Sequence, residues 1–83
     1  MARGTIRYWA AAKEASGVAE EPFEAGTLAE LLAEVTRGRA ELARVVGRSS
    51  FLVDGHPVGR RAHETVALAD GVTVEVLPPF AGG

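Results

Sequence analysis

The last eight residues, Val76-Leu-Pro-Pro-Phe-Ala-Gly-Gly83, hold the chemistry this chain offers. Pro78-Pro79 directly follow the strand-like run Val72-Thr-Val-Glu-Val-Leu77. Prolines fix φ and stiffen the exit, so the segment 79–83 is expected to project as a tail from a domain spanning 1–78. Phe80 puts a large aromatic ring on that tail, where its own fold offers little to pack against. Gly82 and Gly83 carry no side chains, so the backbone can thread a narrow channel and bring the Gly83 carboxylate close to reacting groups. With ten glycines in 83 residues a Gly-Gly end alone is weak, and a frayed tail would show the same pair. Joined to the proline pair and the aromatic residue, it describes a carboxylate on a stem, shaped to enter another protein's active site.

Other residues offer less. His56 sits between a turn glycine and Pro57, and His63 lies in the polar stretch Arg60-Arg-Ala-His-Glu64. Neither has the i+4 partner of a helical metal pair, and both read as solvated loop residues. Glu20, Glu21 and Glu24 resemble a carboxylate cluster for acid–base work, but fit better as the wet side of an edge strand, where charge blocks aggregation. Arg37, Arg39, Arg44 and Arg48 form a mildly basic helix end that the helix macrodipole accounts for without a ligand. No glycine-rich phosphate loop follows a strand. The absence of cysteine excludes disulfides, thiolate metal sites and thiol nucleophiles. An enzyme that works alone is not expected, nor is a metal or a cofactor held by this chain.

The elements that must position the tail fit in one small domain, because 83 residues leave no room for a second core. Hydrophobic residues at 47% and charged residues at 24% are the balance of a globular chain. A net charge of −2 gives no electrostatic footprint for nucleic acid or an anionic membrane. Neither an uncharged run long enough to span a bilayer nor a secretory signal is visible, so a cytoplasmic location is expected.

Residues 5–9 read as a strand with Ile6 and Tyr8 on one face and Thr5, Arg7 and Trp9 on the other. Residues 10–16 are alanine-rich and stop at Gly17, a short helix with a glycine cap. Residues 19–24 form a weak strand that Pro22 confines to an edge. Thr27-Leu-Ala-Glu30 is a capping box, and Leu28, Leu31, Leu32 and Val35 make one apolar stripe before Gly38. Leu42, Val45 and Val46 repeat the helical spacing up to Gly47. A strand at 50–53 runs into the Asp54-Gly55 turn, a short strand at 65–68 into Asp70-Gly71, and Val72, Val74 and Val76 share one face of the last strand. The order β, short α, β, α, α, β, β, β predicts an α+β fold with helices on one face of a mixed sheet.

The blocks Ile6-Arg-Tyr-Trp-Ala-Ala-Ala-Lys-Glu-Ala-Ser-Gly17, Gly26-Thr-Leu-Ala-Glu-Leu-Leu32, Val53-Asp-Gly55, Leu68-Ala-Asp-Gly71 and Val74-Glu-Val-Leu-Pro-Pro-Phe-Ala-Gly-Gly83 together resemble the ubiquitin-like sulfur-carrier family, in particular the small subunits of molybdopterin synthase. Pro-Pro-x-x-Gly-Gly is the most specific of them. The family often carries a smaller aliphatic residue where this chain has Phe80, and residues 60–64 match none of its blocks.

The resemblance implies a ubiquitin-like (β-grasp) roll and a definite chemistry. An adenylating enzyme related to ubiquitin activators would join Gly83 to AMP from ATP, and sulfur from a donor would displace AMP to leave a thiocarboxylate, with Gly82 beside it. Docked in the large synthase subunit, within a heterotetramer, the sulfur would go to cyclic pyranopterin monophosphate in molybdenum cofactor biosynthesis. The chain would then be the sulfur-donating subunit of a sulfurtransferase complex, non-catalytic alone, with bases and substrate pocket on the partner. Alternatives are a carrier for thiamine, cysteine or tRNA thiolation, a ubiquitin-like modifier conjugated to lysines, and a plain binding domain. In such a roll the first and last strands are parallel neighbours, which sets Trp9 and Leu77 side by side on the outer face. With Pro79, Phe80 and Ala81 they are the expected partner-binding residues. The plainer alternative packs Trp9 under the loop around His56-Pro57.

Overall fold

The computed structural model describes residues 1–79, and the tail residues Phe80, Ala81, Gly82 and Gly83 lie outside the described residues. The chain runs β1 (Ala2–Tyr8), α1 (Ala10–Ser16), β2 (Glu20–Ala25), α2 (Leu28–Thr36), α3 (Ala40–Val46), β3 (Ser50–Val53), β4 (His56–Pro57), a 3₁₀ turn (His63–Thr65) and β5 (Thr73–Leu77). Five strands form one mixed sheet in the order β2-β1-β5-β3-β4. β1 and β5 lie side by side and parallel, with Tyr8 opposite Val76, while the other pairings are antiparallel. This is the α+β, ubiquitin-like roll that the sequence resemblance implies.

Local chemistry explains most of the boundaries. Gly17 ends α1 at φ 81, a left-handed conformation that costs glycine no Cβ clash. Thr27 Oγ1 accepts from the Glu30 amide at 3.2 Å, and the Glu30 carboxylate accepts from the Gly26 and Thr27 amides at 2.8 and 3.1 Å. The capping box therefore fixes where α2 starts and satisfies amides its first turn would leave open. Pro22 sits in β2, an edge strand, as its missing N–H requires.

Both Asp-Gly turns are tied to the central strands. Asp54 donates its amide to the Thr73 carbonyl and accepts from the Thr73 amide through Oδ1 at 2.9 Å. Asp70 Oδ1 accepts from the Arg3 amide at 2.9 Å. These clamps close the sheet end opposite the tail. Gly4 is needed there for space: a Cβ would meet the Val72 carbonyl and come within 2.7 Å of Val72 Cγ1 and 2.9 Å of Phe23 Cζ.

The core lies between the sheet and the helices. Ile6, Leu28, Leu31, Leu42, Val74 and Val76 are wholly buried, and no charged side chain is buried among the described residues. The α2 stripe of Leu28, Leu31, Leu32 and Val35 is buried as its spacing predicts.

Three local expectations need correction. The strand expected at 65–68 is a 3₁₀ turn and one bridge between Thr27 and Ala67, because its backbone is used to hold the α2 entrance: Leu28 donates to the Val66 carbonyl and Leu68 to that of Gly26. His56 and Pro57, expected in a loop, form the short edge strand β4 across from Val53 and Leu52. Trp9 ends the first strand as the cap residue of α1 rather than lying within β1.

Candidate docking face and tail root

β5 leads directly to the tail and is held on both sides, parallel to β1 and antiparallel to β3. Its register sets Leu77 opposite Ser50, and the Trp9 amide donates to the Val76 carbonyl at 3.3 Å, extending the pairing one residue past β1. Trp9 and Leu77 thus stand at the same end of the sheet, where Pro78 and Pro79 depart. Leu77 and Pro78 are half-buried, Pro79 is exposed, and Trp9 is 43% exposed. Pairing on two sides fixes β5, and so the point at which the chain leaves the sheet after Leu77.

Strand alternation selects which side chains share this outer face. One cross-strand row runs Glu20, Arg7, Glu75, Leu52 and Pro57, following the paired registers. The next contains Trp9, Leu77 and Ser50. Trp9 is pinned from two directions: its Nε1–H donates to Glu75 Oε1 at 2.9 Å, and the Arg7 guanidinium lies over its ring at 5.2 Å. Arg7 is itself held by Glu20 at 3.5 Å. A cation–π contact at an exposed site is worth about 0.5–1 kcal/mol. Its effect here is to fix the ring, so less side-chain freedom is lost when another surface covers it. Ala10, the next residue, has φ 49, so the chain reversal that presents Trp9 is made in the left-handed region by a residue with a Cβ.

The helix side of the same strands contains a polar cluster that sequence reasoning missed. Tyr8, 2% exposed, donates its hydroxyl to Glu21 Oε2 at 2.5 Å, and Arg39 donates to both Glu21 oxygens at 2.8 and 3.4 Å. Burial and then the Glu21 carboxylate push the Tyr8 hydroxyl above the usual phenol range. Hydrogen bonding from Arg39 holds the Glu21 carboxyl below the usual range, against the opposing effect of burial. Glu21 is therefore not on the wet side of the edge strand, as expected. It shares the helix side with Phe23 and Ala25, and their alternation was the signal available. Nor does Arg39 sit at a helix C-terminus: it is the cap residue at the start of α3, and its partner is Glu21 rather than a dipole.

His63 also departs from the solvated-loop expectation. It is half-buried and meets the Phe51 ring edge-on, with centroids 5.2 Å apart. Both border a groove of about 410 Å³ with Leu32, Val46, Leu52 and Pro57. The groove brings together no set of groups for acid–base work, and no cluster of three metal-ligating side chains exists among the described residues. The expected functional residues therefore divide: Trp9, Leu77 and Pro79 share the root of the tail, and Phe80, Ala81, Gly82 and Gly83 lie outside the described residues.

Comparison with known proteins adds to this geometry. The ThiS family model matches residues 6–83. A molybdopterin synthase sulfur carrier subunit from Chlamydomonas reinhardtii is 33% identical over 81 residues, covering 94% of this chain and 95% of that one. Among solved structures, small archaeal modifier protein 1 from Methanosarcina acetivorans superposes with a TM-score of 0.86 at 23% identity, over 100% of this chain and 98% of that one. The protein–protein complex of subunits 1 and 2 of molybdopterin-converting factor from Helicobacter pylori contains a chain with a TM-score of 0.73 at 22% identity, over 98% and 99%. At such identities the two structures speak to the fold alone, and they share this chain's roll.

Proposed function

The chain belongs to the ThiS family, and from that premise we propose that it is the sulfur-carrying small subunit of a molybdopterin synthase. The observation that carries the reading is the near full-length similarity to a molybdopterin synthase sulfur carrier subunit, joined to a family match that runs through Gly83.

In this reading Gly83 is the reacting residue. A free carboxylate repels nucleophiles, so an adenylating enzyme first attaches it to the α-phosphate of ATP, releasing pyrophosphate. Sulfur from a donor then attacks the acyl carbon, AMP leaves, and Gly83 ends in a thiocarboxylate. The chain's own residues supply reach and docking. Gly82 gives the acyl group a slim approach. Pro78 and Pro79 direct the stem away from the centre of the sheet. Trp9, Leu77, Pro79, Phe80 and Ala81 meet the large subunit, which receives the sulfur on cyclic pyranopterin monophosphate. The relative from Helicobacter pylori, solved as a complex of two subunits, supports a partner of this kind.

A ubiquitin-like modifier is the second reading, favoured by the fold likeness to small archaeal modifier protein 1. Intact mass after incubation with the activating enzyme, ATP and a sulfur donor separates the two. The carrier gains the difference between one sulfur and one oxygen, in an ATP-dependent way, whereas a modifier gives isopeptide conjugates as its only products. Deleting Gly83 should abolish loading with little change in melting temperature, since Gly83 lies beyond the last strand. Normal loading of a chain ending at Gly82 refutes the carrier assignment.

A further inference from the structure

Eight of the nine cationic residues of this chain are arginines, and Lys13 is the one lysine. That ratio matters in a protein whose carboxyl end is activated. An acyl adenylate reacts with amines, and a guanidinium, which keeps its proton at any working pH, is no acceptor. Lysine supplies the nucleophilic amine that arginine does not. Arginine everywhere else maintains the positive charge of the surface while leaving one side chain open to acylation.

The fold puts that side chain in an accessible place. Lys13 is exposed on α1, one turn past Trp9, whose carbonyl accepts from the Lys13 amide at 3.4 Å. Among the described residues Lys13, like Arg37, Arg48, Arg60 and Arg61, is in no ion pair, so its amine is held by no carboxylate. α1 starts where the Trp9 amide meets the Val76 carbonyl, so Lys13 stands near the root of the tail.

We propose that Lys13 is a modification site, the amine that accepts the activated Gly83 acyl group of a second copy of this chain. The inference rests on the reading that Gly83 is activated. The neutral Lys13 amine attacks the acyl carbon of the adenylate, the C–N bond forms, and the C–O bond to AMP breaks. AMP leaves, and the nitrogen gives its extra proton to solvent. The product is two chains joined by an isopeptide bond with the net loss of one water, driven by ATP. A copy whose tail is held by the activating enzyme has its own Lys13 at the engaged end of the sheet, so the freely presented amine belongs to another copy. When sulfur is supplied it competes for the same acyl carbon, so conjugation is the outcome of sulfur shortage.

The test incubates the full chain with the adenylating enzyme, ATP and Mg²⁺, with and without a sulfur donor. Adenylation is followed separately by ATP–pyrophosphate exchange. The expected product without sulfur is a two-chain species, lost in Lys13→Arg, which keeps the charge and leaves exchange and sulfur loading at parent levels. Trypsin should then give residues 62–83 linked to residues 8–37, uncut at Lys13. Exchange without a conjugate overturns the inference alone, as does a conjugate that persists in Lys13→Arg or a single chain that has lost water. Absence of exchange overturns both the inference and the activation of Gly83 on which it rests.

Discussion

Along β1 and β5 the chain alternates between two surroundings. Ile6, Tyr8, Val74 and Val76 face the helices and are at most 2% exposed. Arg7, Trp9, Glu75 and Leu77 face away, half-buried or exposed, and are covered by no element of the fold. The polar contacts on the two sides differ in purpose as well. Tyr8, Glu21 and Arg39 join β1, β2 and the start of α3 across the edge of the core. On the other face Arg7, Trp9, Glu75 and Glu20 join only neighbouring strands, and fix an aromatic ring that remains open to contact. One side holds the domain together, and the other holds an ordered, partly exposed face at the end of the sheet where Pro78 and Pro79 depart, the face proposed to meet the partner.

Substitutions on the two faces should therefore separate stability from binding. The largest loss of stability is expected in the core: Ile6→Ala removes a wholly buried side chain between sheet and helices and should cost about 2–5 kcal/mol in denaturant unfolding. Glu21→Gln should cost less, on the order of 1 kcal/mol, because the Arg39 side chain is 37% exposed and its pairing is screened by solvent. This variant also carries a pH signature. The Glu21 carboxyl is held low in the folded chain, so its contribution is present above the ordinary glutamate range and is lost as pH falls through the depressed folded value. Unfolding measured from pH 7 downward should show a shallower acid loss in Glu21→Gln than in the parent. Tyr8 acts in the opposite direction, its contribution fading as pH rises past the ordinary phenol value. Trp9→Ala should have the smallest effect, under about 1 kcal/mol, since only one exposed hydrogen bond and a cation–π contact are lost. A core-sized loss at Trp9 would break the division between the faces.

The extent to which the sequence foretold this arrangement follows the range of the forces involved. α2 was legible because a capping box and an apolar stripe are local signals, and both Asp-Gly turns because their backbone demands are met within a few residues. The alternation of Ile6, Tyr8, Val74 and Val76 was equally plain, and with it the outward placement of Trp9 and Leu77. What stayed hidden depends on distant partners. Glu21 reads as one of several surface carboxylates until α3 brings Arg39 beside it, eighteen residues on. Residues 65–68 have strand composition, yet their backbone groups are taken by the entrance of α2. His63 gains its aromatic neighbour only when the 3₁₀ turn folds over β3. The strand order itself came from family resemblance, since periodicity fixes faces but not neighbours.

Calorimetric titration of Trp9→Ala with the large synthase subunit, alongside its melting curve, tests the functional division most directly. An aromatic anchor at the centre of an interface costs on the order of 2 kcal/mol or more when truncated, roughly a thirtyfold loss of affinity. A loss of that size is expected, with a melting temperature close to the parent's. Binding at the parent's affinity, or a domain that no longer folds, would contradict it.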